Sequence, residues 1–92
     1  MTPTSVSQLY GQRSISEAQL RRLFALAYGS GGEPGALGGN KRDRANQLWE
    51  IVQRYGYDDW NCVDQNVNPA RWLREADYEA IVGELHAMRG GL

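Results

Sequence analysis

The residues with the clearest chemical potential in this chain are aromatic rings and arginines in its middle and late parts. Single-stranded nucleic acid is bound by rings that stack on bases and by cations that meet phosphates. In so small a protein the same rings are also candidates for the hydrophobic core, and both interpretations stay open here. The rings and cations concerned are Trp49, Tyr55, Tyr57, Trp60 and Trp72, with Arg42, Arg44, Arg54, Arg71 and Arg74.

Other residues that could carry chemistry are few and isolated. Cys62 is the only cysteine and His86 the only histidine, and these two cannot supply the four ligands that zinc takes. A nucleophilic Cys–His pair would lack an orienting third residue. Asp58 and Asp59 are adjacent in the chain, so their side chains diverge and do not suit a general acid–base pair. We therefore expect a non-enzymatic protein with no catalytic residue, no metal and no cofactor.

A glycine-rich segment at residues 29–40 precedes a basic stretch. A phosphate-binding loop needs the pattern G-x-x-x-x-G-K-[S/T], whereas here Asn40 precedes Lys41 and Arg42 stands where Ser or Thr would bind magnesium. The segment holds six glycines in twelve residues, and glycine loses more backbone entropy on ordering than any other residue. The sequence therefore predicts a flexible linker without regular structure.

Length and charge limit the class of protein. Ninety-two residues with a net charge of −1 fit one domain with one core and give no global positive field that would attract nucleic acid. The single cysteine fits a reducing compartment, and the sequence has neither a signal-peptide pattern nor an apolar run of about 18 to 20 residues. We expect a cytoplasmic protein without a membrane partner, with a flexible arm at 1–13 and one helical domain at 14–90.

The first helix is predicted at about 16–28. Ser16 suits an N-cap and Gln19 can complete a capping box, while Ile15 and Leu20 fall at the positions of a hydrophobic staple. Apolar residues recur at the i, i+3, i+4, i+7 spacing of one helix face, and Gly29 suits the C-terminal cap. The stripe consists of Leu20, Leu23, Phe24 and Ala27.

The rest of the chain predicts two more long helices and a short one. Asn40 is a good cap for a helix at about 41–55, which Gly56 ends. Asn68 and Pro69 together begin a short helical turn, and the last helix spans about 75–88. No segment alternates with period two, so we predict an all-α domain, orthogonal or bundle-like, with three main helices. Its core is predicted to contain Leu20, Leu23, Phe24, Leu48, Ile51, Val52, Tyr78, Ile81, Val82 and Leu85.

The start of the second helix carries an unfavourable concentration of positive charge. Lys41, Arg42 and Arg44 lie in its first turn, where the helix dipole disfavours cations. Only Asp43 opposes them. Two interpretations stay open: a solvated, exposed helix end, or a surface that gains from binding an anion.

Three islands of the sequence resemble a small helical module found at the C-terminal ends of phage single-strand annealing and recombination proteins of the RecT, Erf and Rad52-like kind. They are Ile-Ser-Glu-Ala-Gln-Leu-Arg-Arg-Leu-Phe-Ala-Leu-Ala at 15–27, Ile-Val-Gln-Arg-Tyr-Gly-Tyr at 51–57 and Asp-Tyr-Glu-Ala-Ile-Val-Gly-Glu-Leu at 77–85. The layout is also similar, more distantly, to that of the Mu-like phage protein GemA. The glycine-rich insertion and the connection at 58–68 depart from the module.

The resemblance implies a binding role in DNA metabolism and no catalytic residues. Combined with the rings and cations above, it predicts an accessory module that binds nucleic acid, with single-stranded DNA favoured. The alternative is a protein-interaction adaptor or a homodimerising helical module of phage or bacterial origin. The residues predicted to bind nucleic acid are Lys41, Arg42, Arg44 and Arg54 at phosphates, with Tyr57 and Trp60 stacking on bases.

Overall fold

The computed structural model describes residues 12–90 and shows a mostly helical fold with one small sheet. The predicted helical architecture is confirmed in outline, but the fold is not purely all-α. The predicted arm lies outside the described residues except for residues 12 and 13. The elements in chain order are α1 (Glu17–Tyr28), β1 (Gly29–Ser30), β2 (Glu33–Pro34), α2 (Lys41–Gln53), two 3-10 helices (Trp60–Val63 and Pro69–Arg71) and α3 (Glu75–Gly90).

Helix α1 begins as its sequence predicts. The Gln19 backbone N–H donates to Ser16 Oγ at 3.2 Å, and the Ser16 N–H donates to Gln19 Oε1 at 2.8 Å. This capping box satisfies two groups at the helix start that have no partner within the helix. Ile15 and Leu20 are both buried, as expected for a staple. The predicted start of α1 is confirmed.

The glycine-rich segment is not a structureless linker, and that prediction was wrong. Strands β1 and β2 pair antiparallel, with Ser30 opposite Glu33. The two turn residues between them, Gly31 and Gly32, have φ angles of +58° and +88°. Positive φ at both central positions is what a two-residue hairpin turn requires. The glycines therefore permit regular structure here instead of preventing it.

After the hairpin, the chain packs against the end of α1. The Ala36 and Leu37 N–H groups donate to the carbonyl oxygens of Leu26 and Ala27 at 2.8 and 3.0 Å, which pairs two carbonyls that α1 leaves open. A Cβ on Gly35 would lie 2.4 Å from the Ala27 oxygen, so only glycine fits this approach. Leu37 is buried and anchors the segment.

Helix α2 starts at the predicted cap and ends two residues early. Asn40 Oδ1 accepts from the Asp43 N–H at 2.8 Å, while the Asn40 N–H donates to Asp43 Oδ2 at 3.4 Å. Beyond Gln53 the chain tightens into 3-10-type turns, and Gly56 follows with φ +97°. Asp43 therefore caps the helix in addition to opposing the cations beside it.

The start of α3 is joined to the segment before α1. The Ile15 N–H donates to the Leu73 oxygen at 2.9 Å and the Glu75 N–H donates to the Arg13 oxygen at 2.7 Å. Asn68 caps the short 3-10 helix, as predicted, by accepting from the Ala70 N–H at 3.0 Å. Helix α3 continues to Gly90, two residues beyond its predicted end.

The core lies between the three helices and the connection from α2 to α3. Eight of the ten predicted core residues are buried; Phe24 and Val82 are only partly buried and pack against the core. The sequence underestimated the contribution of the segments outside the helices. Buried residues beyond the predicted set are Ile15, Leu26, Ala27, Leu37, Cys62, Val63, Trp72 and Leu73. None of the helices between residues 12 and 90 is both long and apolar enough to cross a membrane.

Candidate functional site

A cavity of about 500 Å³ opens between α1, the start of α2 and the 3-10 helix that begins at Trp60. We call it the basic cavity. Three aromatic rings line it, from Phe24, Tyr28 and Trp60. Phe24 and Tyr28 are four residues apart on α1 and therefore share a face. Their rings stack with centroids 5.8 Å apart and planes at 9°, and both contribute apolar surface to the cavity.

Two cations from α2, Lys41 and Arg44, line the same cavity. The Arg44 guanidinium lies 5.8 Å from the centroid of the Tyr28 ring, and its Nη1 donates to the Tyr28 backbone oxygen at 2.9 Å. Arg44 thus places its positive charge at the C-terminal end of α1, where the helix dipole favours cations. This contact offsets part of the cost of placing Arg44 at the N-terminus of α2.

Trp60 lies at the surface because the contacts of Asp59 and the burial of Cys62 and Val63 hold its 3-10 helix against the core. The Asp59 carboxylate accepts from the Asn61 N–H at 2.9 Å and pairs with Arg71 at 3.3 Å. Cys62 and Val63 of the same helix are buried. The Trp60 side chain is left 36% exposed, whereas Trp72 is only 5% exposed. Of the rings for which core and stacking roles both stayed open, Trp72 belongs to the core, whereas Trp60 is exposed.

The polar wall of the basic cavity is the loop Asp64-Gln65-Asn66. Asp64 organises it: its carboxylate accepts from the Asn66 N–H at 2.9 Å, and its backbone oxygen accepts from the buried Trp72 indole N–H at 3.0 Å. The side chains of Gln65 and Asn66 are exposed and make no hydrogen bond within residues 12–90. Amide groups of this kind can pair with the edge of a base.

A second cavity, of about 410 Å³, adjoins the first and shares Ala45 and Trp60 with it. We call it the tryptophan cavity, because Trp49 and Trp60 form its walls, together with Asn46. The two indoles meet edge to face, with ring centroids 6.0 Å apart and planes at 68°. Trp60 therefore stands between two adjoining hollows.

The six residues predicted to bind nucleic acid do not all lie together. Lys41, Arg44 and Trp60 line the basic cavity, whereas Arg42 is exposed in the first turn of α2 without lining it. Arg54 Nη2 lies 2.8 Å from Glu84 Oε1 on α3, and Tyr55 also donates its hydroxyl to Glu84. Arg54 is therefore engaged in an ion pair away from the cavity.

Tyr57 is half-buried and its hydroxyl is occupied. The hydroxyl donates to Asp77 and accepts from the Arg74 N–H at 2.9 Å. The Arg74 guanidinium lies over the ring, 5.0 Å from its centroid. Burial, with the neighbouring Asp77 carboxylate, raises the pKa of Tyr57 to about 12. In this arrangement Tyr57 joins the segment after α2 to the start of α3, and its ring face is covered.

Ion pairing distinguishes the three cations at the start of α2 from five arginines elsewhere in the described chain. Within residues 12–90, Lys41, Arg42 and Arg44 form no ion pair, although all three lie at the start of α2. Five other arginines are paired with carboxylates, in the pairs Arg21–Glu17, Arg54–Glu84, Arg71–Asp59, Arg74–Asp77 and Arg89–Glu33. Three cations without an ion pair within residues 12–90 therefore lie together at the start of α2, and two of them line the basic cavity.

Cys62 and His86 lie in different surroundings. Cys62 Sγ donates to the Asp59 backbone oxygen at 3.4 Å, and burial, with the Asp59 charge, raises the pKa of the thiol to about 11. His86 is exposed on α3 and lines a third cavity of about 390 Å³ beside the hairpin, with Arg22, Glu33 and Arg89. Within residues 12–90 no three His, Cys, Asp or Glu side chains are placed to hold a metal ion.

Sequence reasoning missed Phe24 and Tyr28 as site residues. Phe24 was assigned to the core because it follows the apolar stripe of α1, and it is only partly buried. The available signal was an aromatic pair at i and i+4 next to a glycine-rich turn. Comparisons of the chain with protein-family models, curated proteins and solved structures gave no match.

Proposed function

We propose that this protein is a non-enzymatic accessory module that binds single-stranded nucleic acid, with the basic cavity as its binding site. One observation carries the proposal: three aromatic rings and two cations, which form no ion pair within residues 12–90, converge on one hollow. A single strand offers what such a hollow complements, since every base has a face that stacks and every linkage carries a negative charge. A duplex keeps its bases stacked inside and offers the cavity only phosphates.

The distribution of charge favours a local interface over a general electrostatic one. With a net charge of −1, the protein as a whole does not attract a polyanion. Lys41, Arg42 and Arg44 are the cations available for phosphates near the rings. Each cation that neutralises a phosphate of a single strand contributes roughly 0.7 to the slope of log affinity against log salt. We therefore expect a small slope, of about 2, corresponding to three cations.

DNA metabolism is the proposed setting, and single-stranded DNA is the favoured ligand. The resemblance of the three sequence islands to the helical module of phage annealing and recombination proteins supports this setting. The ring and cation geometry is equally suited to single-stranded RNA. Parallel titrations with DNA and RNA of the same sequence compare the affinity of the protein for the two nucleic acids.

The experiment is a fluorescence titration with a single-stranded oligonucleotide of roughly 12 nucleotides, a length within the range that such sites cover. Trp60 and Trp49 are accessible to a stacking base, whereas Trp72 is buried. We expect quenching that saturates, weakens as salt is raised and is smaller with a duplex of the same sequence. No quenching at low salt would remove nucleic acid as the ligand.

A protein-interaction role is the second candidate, favoured by the exposed apolar surface of the tryptophan cavity. The same indoles could cover an apolar side of a protein partner or of a second copy of the chain, since large exposed apolar surfaces often mark interfaces. Sedimentation of the protein alone tests the second copy. A mass that doubles with concentration and is restored to the monomer by Trp49→Ala would favour this candidate.

A further inference from the structure

We propose that the site holds two consecutive bases of a single strand, one in each cavity, with the Trp60 indole between them. This inference deepens the proposed function and rests on it. The basic cavity and the tryptophan cavity adjoin at Trp60 and Ala45. Their volumes, about 500 and 410 Å³, both fall in the range of small-molecule sites. Each has room for one planar base and its sugar.

The walls of both cavities offer rings to a base. In the basic cavity the base meets the stacked pair Phe24–Tyr28 on one side and Trp60 on another. In the tryptophan cavity the base meets Trp49 and Trp60, whose planes stand at 68° to each other. A single flat base cannot contact surfaces in both hollows, because Trp60 separates them. Two bases joined by one linkage can do so.

Lys41 and Arg44 are placed to meet the phosphate that joins the two bases, and they do not line the cavity of the second base. Lys41 and Arg44 line the basic cavity, whereas the described residues that line the tryptophan cavity, Ala45, Asn46, Trp49 and Trp60, carry no charge. A strand that crosses Trp60 toward the basic cavity brings its negative linkage to the side where these charges lie. This complementarity of charge favours a nucleic acid over an apolar peptide as the occupant of the paired cavities.

Three indole N–H groups make the proposal measurable by NMR. Trp49 lines the tryptophan cavity and not the basic cavity, whereas Trp60 lines both. The Trp72 indole is buried, and its N–H donates to the backbone oxygens of Asp64 and Val67, both at 3.0 Å. Its resonance therefore serves as a reference for intact folding.

The probes are deoxyadenosine monophosphate and the dinucleoside monophosphate d(ApA), titrated into the uniformly ¹⁵N-labelled protein. We expect the mononucleotide to shift mainly the Trp60 indole and the dinucleotide to shift both Trp60 and Trp49. The dinucleotide should bind about tenfold more tightly, which corresponds to one additional stacked base.

Two variants test whether the higher affinity for the dinucleotide comes from the tryptophan cavity. Trp49→Ala should reduce the affinity for d(ApA) to about that for the mononucleotide. Because Trp49 is half-buried and packs against the core, Trp49→Leu, which keeps an apolar side chain but removes the aromatic ring, is the second variant. His86→Ala, beside the hairpin, is the matched control and should change neither affinity.

Equal affinities for the two probes, with Trp49 unmoved by either, would overturn the two-base site. If the oligonucleotide of the fluorescence experiment still bound, the proposed function would survive that result. An oligonucleotide that shifted no indole would remove both proposals. Shifts of Trp49 and Trp60 that depended on protein concentration alone would assign the two cavities to a second copy of the chain and overturn the two-base site.

Discussion

Two cavities of this protein use different faces of α1 and offer a ligand different surfaces. To the basic cavity α1 gives two aromatic rings, from Phe24 and Tyr28; to the cavity beside the hairpin it gives Arg22, Ala25 and Leu26. The first has rings beside its two cations; neither these nor Arg22 of the second cavity form an ion pair within residues 12–90. The second, called here the hairpin cavity, has aliphatic walls, and its Arg89 lies 2.7 Å from the Glu33 carboxylate.

The comparison shows that counting positive residues does not locate a binding site. Both cavities contain two lysine or arginine side chains and one carboxylate. They differ in what those charges contact and in whether a flat apolar face lies beside them. We therefore expect a ligand with a planar ring and a negative charge to prefer the basic cavity, where aromatic rings lie beside Lys41 and Arg44.

The largest effect is expected from removing the ring that both hollows share. Trp60→Ala should weaken binding of the single-stranded oligonucleotide about tenfold or more, since stacking contributes roughly 1–3 kcal/mol per base. The variant should fold normally because the Trp60 side chain is 36% exposed. The control is His86→Ala in the hairpin cavity, which should bind as the wild type does. Equal losses of affinity in Trp60→Ala and His86→Ala would mean that the oligonucleotide does not prefer the basic cavity over the hairpin cavity.

A smaller effect is expected from neutralising the cations at the start of α2. Lys41→Gln and Arg42→Gln should each reduce the salt slope of binding by roughly 0.7 and lower affinity a few-fold. Stability should hold or rise slightly, because cations are unfavourable at a helix N-terminus. Titrations across a series of salt concentrations and urea unfolding measure the two quantities separately.

The matched control for charge is Arg21→Gln, which removes a positive charge already paired with Glu17 at 2.7 Å. It should leave the salt slope unchanged. A slope that fell equally in Arg21→Gln would mean that the oligonucleotide responds to the total charge of the protein and not to the start of α2.

A change at Tyr57 should affect stability without affecting binding. Tyr57→Phe removes the hydroxyl that joins Asp77 to the Arg74 N–H, and we expect the free energy of unfolding to fall by about 1 kcal/mol. Tyr28→Phe is the control, since it keeps the ring that lines the basic cavity and should alter neither property. If Tyr57→Phe lost oligonucleotide binding and kept its stability, Tyr57 would belong to the binding site after all.

Alkaline pH should destabilise the fold, with no corresponding effect near neutrality. The folded protein holds the Cys62 thiol proton to a pKa of about 11 and the Tyr57 proton to about 12, above the ordinary values of 9.0 and 10.0. The folded state thus binds more protons than the unfolded state in this window, so stability falls as pH rises from 9 through 12. Urea midpoints measured in Tyr57→Phe should fall less steeply over the upper part of that range.

The helices were predictable because their signals are local. Ser16, Asn40 and Asn68 each precede a helix and each caps it through its own side chain. The hairpin was missed because the entropy of glycine was weighed without the turn geometry that Gly31-Gly32 supplies. The assignment of residues 14–90 to a single domain stays a prediction.

Of the six residues predicted from their type to bind nucleic acid, three line the basic cavity and three do not. Lys41, Arg44 and Trp60 do line one cavity. Arg54 and Tyr57 do not, because Glu84 and Asp77 engage them from α3. Those partners lie 30 and 20 residues away in the chain, and nothing in the local sequence pairs them. The wall of Phe24 and Tyr28 depends in the same way on how α1 packs beside α2.

The most direct test of the proposed site is to locate a bound strand by cross-linking. A single-stranded oligonucleotide carrying 5-iodouracil, irradiated in complex with the protein, attaches to aromatic residues that it contacts. Fragmentation of the cross-linked tryptic peptides by tandem mass spectrometry identifies the residue, including which of Tyr57 and Trp60 is modified on the peptide that they share. We predict attachment at Trp60, Tyr28 or Phe24, and loss of the Trp60 adduct when unlabelled oligonucleotide competes. Attachment confined to the hairpin cavity, or to Tyr57, would contradict the assignment of the basic cavity as the binding site.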